Sequence, residues 1–520
     1  IASSYGSSVV DPWPRHAACQ MFDPRSRPGR LACMPKATRA SSRSSVPTAP
    51  LLGTVLVVAV VLVLGALVPS GEPSRGIDAL KIFFVAGWPA AGWLLAGLGL
   101  GMGLLRILPG IPHTPMGGLL RSIPTAWPLG IALLLIIDTT LGSLGLMGRD
   151  RGVIAWIIIL FAAVPGGIVL FRRLGARSWT GPLVPGLALS IPIGVLFVAA
   201  VSTPGWLWAS EFGGYDALSY HLQLPREWWH AGGIVETPHN AYGYLPGAVS
   251  AAFLHLMTLT GDPDSTGVSC QLLVAGITLV AALATGELAV SMLGRDVVCA
   301  SLLAMISLLA TPWVLVTGSL AYDEAVVMLL TAATASWLIR ASREWKEIPD
   351  SVTGGMVGIL LGAAVIAKAS SGILVVIPLA VTAAILIRPG RWPRIMLATA
   401  VVGSAACLPW LIRNAAWTGN PVFPFAGDLF GIGDWTQEQI RRFGEAHRSD
   451  RGITENLMVL FREFLLEGLI DGPTSGETLR PQWMWLPVIG LGSLGWLMIT
   501  HRPERRTMVA VAAAEKDFLI

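Results

Sequence analysis

Charge is scarce in this chain: Asp, Glu, Lys and Arg make up 13% of 520 residues, against 53% apolar. A soluble globular domain carries about a quarter charged residues, so that class is excluded. The net charge of +4 is small, and no basic stripe gives the electrostatic footprint of a nucleic-acid binder. Cysteine is also sparse. Cys19, Cys33, Cys270, Cys299 and Cys407 lack paired short spacing, which argues against a disulfide framework or a cysteine zinc site and reads as packing. No apolar h-region precedes residue 51, so a cleaved signal peptide is not expected.

What the chain does have is apolar runs. Residues 1–50 are a basic tail rich in Pro, Ser and Arg with no apolar period, a composition expected to stay disordered. The chain opens on Ile, and Met21 and Met34 both precede the first run, so part of this tail reads as upstream sequence. A span needs about 20 mostly apolar residues. On that rule roughly twelve spans are expected, at 51–69, 80–105, 126–147, 152–171, 183–203, 266–292, 297–318, 324–340, 352–367, 370–387, 395–412 and 484–500. The predicted fold is all-α, a polytopic integral membrane protein.

The run GAVSAAFLHLMTLTG at 247–261 is short and suits an interfacial or re-entrant helix. If it does not cross, the basic clusters at 172–177, 340–346, 388–394 and 501–506 share the side of the basic tail. The positive-inside rule makes that side cytoplasmic. The insert 204–265, the turn at 321–324 and the loop 413–483 then face outward together, as a shared active site requires.

Within the insert, EFGGYDALSYHLQLPREWWHAGGI is punctuated by Gly and Pro and predicts short helices joined by turns. A helix over 215–224 puts Asp216 and Tyr220 on one face and turns His221 away. Membrane-edge carboxylates are costly unless paired, hydrated or used, and a partly desolvated one suits a catalytic base. Asp216 and the pair Asp323 and Glu324 are the candidates; the competing readings are a solvated loop acid for the first and a helix cap for the second. His221, His230 and His239 recur every nine residues, but the prolines between them deny a common face, which argues against zinc. Amphipathic helices are expected between 417 and 481, either as a lid or as an acceptor-selecting surface.

Several motifs together carry a resemblance: YDALSYHLQLPREWW, YGYLPGAVSAAFLHL, LAYDEAVVMLL, AKASSGILVVIPLA and WLIRNAAWTGNPVFPF. In order and spacing, residues 183–430 resemble the polyprenyl-phosphate-sugar-dependent membrane glycosyltransferases of the GT-C superfamily. That group includes the lipid A aminoarabinose transferases, the protein O-mannosyltransferases and families that decorate lipopolysaccharide core. The resemblance implies that Asp216 deprotonates the acceptor, with Asp323 and the adjacent Glu324 as the second acidic site. Tyr220 and His221 fall in the same substrate-binding loop. Lys368 matches a basic residue at an outward helix end, placed to hold the donor phosphate. Arg413, Asn414 and Asn420 lie where the chain leaves the membrane near the donor site; Lys368 snorkelling and Arg413 anchoring at the interface are the competing readings.

The resemblance implies further features. The donor is a polyprenyl-phosphate sugar, the acceptor a glycan, lipid or protein outside the cytoplasm, and the setting the inner or plasma membrane. The cofactor is left open, since some members use a divalent ion; Asp216 with Asp323 or Glu324 offers oxygens for Mg or Mn. The chain departs from the family pattern at 51–172, which reads as an added module of four helices. It departs again at 484–520, a last span and cytoplasmic tail with no further hydrophobic segment where many members continue, as if truncated. A transporter or flippase of lipid-linked saccharide is the main competing class, with an O-antigen polymerase or ligase a third. Asp138 and Glu287 are the main carboxylates inside spans, few for a transport path.

Overall fold

In lipid a chain must satisfy its backbone polar groups within each segment. A computed structural model of the protein accordingly shows no strand among the described residues, which are 58–63, 76–109, 119–175, 183–202, 214–293, 298–343, 348–447 and a few positions between 452 and 458. The tail 1–50, most of the run at 51–69, the outer segment 459–483 and the last expected span at 484–500 lie outside them.

The helices are α1 (Ile77–Ile107), α2 (Leu119–Ser143), α3 (Gly152–Gly175), α4 (Leu183–Val201), α5 (Gln223–Ala231), α6 (Ala248–Thr260) and α7 (Gly267–Leu293). They continue as α8 (Val298–Leu309), α9 (Pro312–Ser319), α10 (Glu324–Arg343), α11 (Asp350–Ala367), α12 (Val376–Leu386), α13 (Trp392–Thr418) and α14 (Gln437–His447). Among the described residues seven helices are long and apolar enough to cross a membrane, or eight if the bent pair α8 and α9 is one span. That pair turns by 68°, at Thr311 and Pro312, where the proline removes a helix donor. The stretch expected as a span at 370–387 is broken into Ser371–Leu374 and α12, and its 16 residues at 371–386 fall short of the spanning length.

Close contacts fix the direction of the longer helices. Backbones approach where glycines remove the side chain: a Cβ on Gly101 would strike the Ala126 carbonyl, and one on Gly130 the Gly97 carbonyl, so α1 and α2 run antiparallel. Trp88 stacks on Trp156 at 5.5 Å and Gly99 abuts Ala162, so α3 runs parallel to α1. Gly354, Gly358 and Gly362 of α11 meet Ile395, Thr399 and Gly403 of α13 in order, again parallel. Arg340 of α10 reaches Glu287 of α7 at 2.5 Å, and Arg343 donates to the Ser291 and Met292 carbonyls, so those two helices run parallel with their C-terminal ends together.

These directions place the α2–α3 turn, residues 214–266, the turn before α10, Lys368 and the segment after α13 at one end of the bundle. The other end holds Arg106, Arg340, Arg343, Arg388, Arg391 and Arg394. Helix α6 does not cross. It has 13 residues, about 20 Å long against about 30 Å of hydrocarbon. It begins where α13 side chains hold the Tyr244 and Leu245 carbonyls, and ends with Thr258 beside Gly152, both at the same end of the bundle. It lies within protein rather than on an interface, with every residue from Ala248 to Leu259 buried.

Two spanning carboxylates are fully engaged. Asp138 accepts from Trp93 Nε1 at 2.8 Å and faces His255 Nδ1 at 2.7 Å, all three buried, tying α1 and α2 to α6. Glu287 is held by Arg340, which also bonds Thr125 of α2. Pairing of this kind is how a bilayer interior tolerates charge.

Candidate functional site

The insert begins with a departure from the expected α-helix. Residues Ala217–His221 form a π turn, in which Leu222 N–H bonds the Ala217 carbonyl at 2.9 Å, five residues back. The wider turn carries one more residue than an α-turn. Across this turn the rings of Tyr220 and His221 come together, and His221 faces the charges of Glu324 and Lys368, on the side of Asp323. The two rings lie 4.3 Å apart, and His221 packs on Tyr322 at 5.4 Å, next to Asp323.

The remaining side chains come from two other elements. Asp323 caps the start of α10 with its main-chain carbonyl, which accepts from Val326 and Val327. Its side chain turns to Lys368, whose Nζ lies 2.9 Å from Asp323 Oδ1 and 2.5 Å from Glu324 Oε1. Lys368 can reach them because α11 ends at Ala367 and the next residue is extended. The charges of Asp216, Asp323 and Glu324 all act on the Tyr220 hydroxyl. Tyr220 thus lies under the influence of both acidic centres. Tyr242 stacks on it at 4.2 Å, and the Tyr242 hydroxyl lies 3.5 Å from Nε2 of His447 on α14.

Burial and charge set the protonation states. Burial, followed by the Asp216 hydrogen bond and nearby carboxylates, pushes the Tyr220 hydroxyl far above its ordinary range, so it remains a donor. Burial pushes His221 down to about 3, against the opposing pull of Glu324, which leaves a neutral imidazole. Asp323 is raised, first by burial and then by Glu324. Burial opposes the charge on Lys368, but the two carboxylates outweigh it and hold the ammonium above its ordinary range. Two buried atoms in this cluster, His221 Nδ1 and Glu324 Oε2, have no protein partner. A buried polar atom left unpaired is costly, and a bound polar molecule is one way to satisfy both.

Arg413, Asn414 and Asn420 form a second group. Arg413 Nη2 donates to the Leu245 carbonyl at 2.9 Å, and its guanidinium lies 4.9 Å from the Trp417 ring centroid. Asn414 donates to the Tyr244 and Phe423 carbonyls, and Asn420 to those of Phe425 and Gly431. Their polar groups tie the insert and the segment after α13 to the helix end. No three His, Cys, Asp or Glu side chains among the described residues form a metal-holding set, and Lys368 already occupies oxygens of Asp323 and Glu324. The donor set does not fit a resident Mg or Mn.

Tyr322, Tyr242, His255 and Glu236, which accepts from the Tyr244 hydroxyl at 2.8 Å, received no role from the sequence. Tyr322 and Tyr242 stand inside quoted motifs; an aromatic next to Asp323 was the available signal for Tyr322, and Tyr242 had none. His255 gave none, since its partner Asp138 is 117 residues away.

These features define a helical protein of membrane-spanning composition with a polar, aromatic side-chain cluster at one end. A family model described as a domain of unknown function, DUF8201, matches residues 265–441. That range takes in Asp323, Glu324, Lys368, Arg413, Asn414 and Asn420 but not the insert. No curated protein and no solved structure matches the chain.

Proposed function

We propose that the protein is a membrane glycosyltransferase that moves a sugar from a polyprenyl-phosphate carrier to an extracytoplasmic glycan, lipid or protein acceptor. The observation that carries this reading is the cluster of polar and aromatic side chains around Tyr220. Carboxylates from distant parts of the chain act on Tyr220, and the buried His221 Nδ1 and Glu324 Oε2 have no protein partner. In this reading the chain has twelve crossings, with the short broken stretch at 371–386 as one of them, and the end carrying Arg340, Arg343, Arg388, Arg391 and Arg394 is cytoplasmic, which turns the Tyr220 cluster outward.

Asp216, oriented by the Tyr220 hydroxyl, takes the proton of an acceptor hydroxyl as its oxygen attacks the anomeric carbon. The bond from that carbon to the phosphate oxygen breaks on the opposite side, so configuration inverts. Lys368 offsets the charge that develops on the departing polyprenyl phosphate. Asp323 and Glu324 keep the ammonium fixed at the edge of the cluster, and neutral His221 hydrogen-bonds the sugar.

Protein purified in detergent, given a radiolabelled polyprenyl-phosphate sugar and a crude lipid acceptor, transfers label. Asp216→Asn abolishes transfer while expression and donor binding persist. Full activity in that variant removes Asp216 from the mechanism. The paired state of Asp138 and Glu287 gives a transport path no support.

A further inference from the structure

At the opposite end of the bundle from the Tyr220 cluster, the starts of α11 and α13 enclose an open groove of about 800 Å³. This lies within the range of about 300–1,000 Å³ typical of small-molecule sites. Its polar rim is Asp350, Ser351, Arg391 and Arg394, and its floor runs along α13 through Leu397 and Val401. Arg391 is fixed in place: Nε lies 2.6 Å from Asp350 and Nη2 donates to the Ile348 carbonyl. Arg394 is exposed on the next turn, so the rim carries a net positive charge after the Asp350 pair is counted.

The polarity of the groove changes sharply along one helix face. Leu397, 67% exposed, follows Arg394 by three residues, and Val401, 60% exposed, follows Leu397 by four, so all three line one stripe. Helix α13 is also the least enclosed of the spans, with 17% of its most apolar window buried against 72% for α11. A cationic rim at the end of a span, continuous with an exposed apolar stripe, matches a molecule with an anionic head and a hydrocarbon tail.

We propose that this groove binds an anionic membrane phospholipid, its phosphate headgroup held by Arg391 and Arg394 and one acyl chain lying along Leu397 and Val401. A guanidinium already oriented by Asp350 and Ile348 loses little freedom on meeting a phosphate. Arg394 supplies the second fork, and Ser351 a hydroxyl donor at the rim. The site is separate from the Tyr220 cluster and does not depend on the glycosyl-transfer reading.

Native mass spectrometry of the full chain, released from detergent and titrated with phosphatidylglycerol, phosphatidylcholine or inorganic phosphate, tests the assignment. The expected result is one tightly retained phosphatidylglycerol, weaker phosphatidylcholine and no displacement by millimolar inorganic phosphate. Arg394→Gln weakens phosphatidylglycerol about tenfold, as loss of one charge-assisted hydrogen bond predicts, and Arg394→Lys falls in between. Arg442→Gln, the same charge change on exposed α14, leaves retention as it was. Equal retention of both lipids, or no loss in Arg394→Gln, overturns the proposal. So does displacement by free phosphate, or a cross-link from Leu397→Cys to a second copy or to residues 484–500. If Arg394→Gln does not fold, Val401→Asn blocks the tail instead, and unchanged lipid retention there counts equally against it.

Discussion

His221 is buried against Tyr220 and Tyr322. Buried and neutral, it binds no proton in the folded protein at pH values where an unfolded histidine does, so its folded value of about 3 lies below the ordinary 6.5. Its contribution to stability is therefore complete above pH 6.5 and is lost as pH falls toward 3, by about 1.4 kcal/mol per pH unit. Thermal melts at pH 7 and pH 5 measure this, and His221→Asn flattens the difference. Lys368 behaves in the opposite sense. Removing it leaves Asp323 and Glu324 without a counter-ion, and Lys368→Met destabilises by about 1–3 kcal/mol, the usual buried-pair cost reduced for its partial exposure. Melting the triple variant with Asp323→Asn and Glu324→Gln recovers most of that loss, while transfer stays absent. Sequence spacing singled out both acids and the lysine, because charges in an apolar chain are conspicuous. It did not reveal that they contact one another, since ion pairs between residues 44 and 45 apart depend on where helices end.

Glycine contacts decide the arrangement of elements more than the apolar runs do. The runs marked where most helices lie, and α1, α3, α7, α10 and α11 begin and end within a few residues of expectation. Hydropathy is blind to breaks, which is why the stretch at 370–387 and the bend between α8 and α9 were read as plain spans. It is equally blind to crossing points. Gly130→Ala puts a methyl group against the Gly97 carbonyl, forces α1 and α2 apart and, by disturbing the neighbouring Asp138 cluster, lowers the yield of monodisperse protein in size-exclusion chromatography. Gly167→Ala, where a Cβ meets nothing within 4 Å, leaves that yield unchanged.

For the molecule as a whole, charge placement was the most legible signal. The reading that 247–261 stays on one side rested on where arginines cluster, and α6 does begin and end at the same end of the bundle. The orientation of that bundle is a separate matter, open to labelling. In a cysteine-free background, single cysteines at Val235 and Gly444 react with an impermeant maleimide on intact cells, whereas one at Gly390 reacts only after permeabilisation. Reversed labelling turns the Tyr220 cluster inward and removes the extracytoplasmic acceptor. The cluster itself was only half visible in advance, because it is assembled from the insert, the α10 turn and the end of α11, and only folding brings these together.

The π turn between Asp216 and Leu222 has a consequence for how such clusters diversify. It holds one residue of slack within a stretch that is otherwise tightly wound. A chain one residue shorter at this point winds the same stretch as ordinary α-helix and swings one ring out of place by about 100°. Length at a single turn is thus a dial on which ring joins the cluster around Asp323 and Lys368.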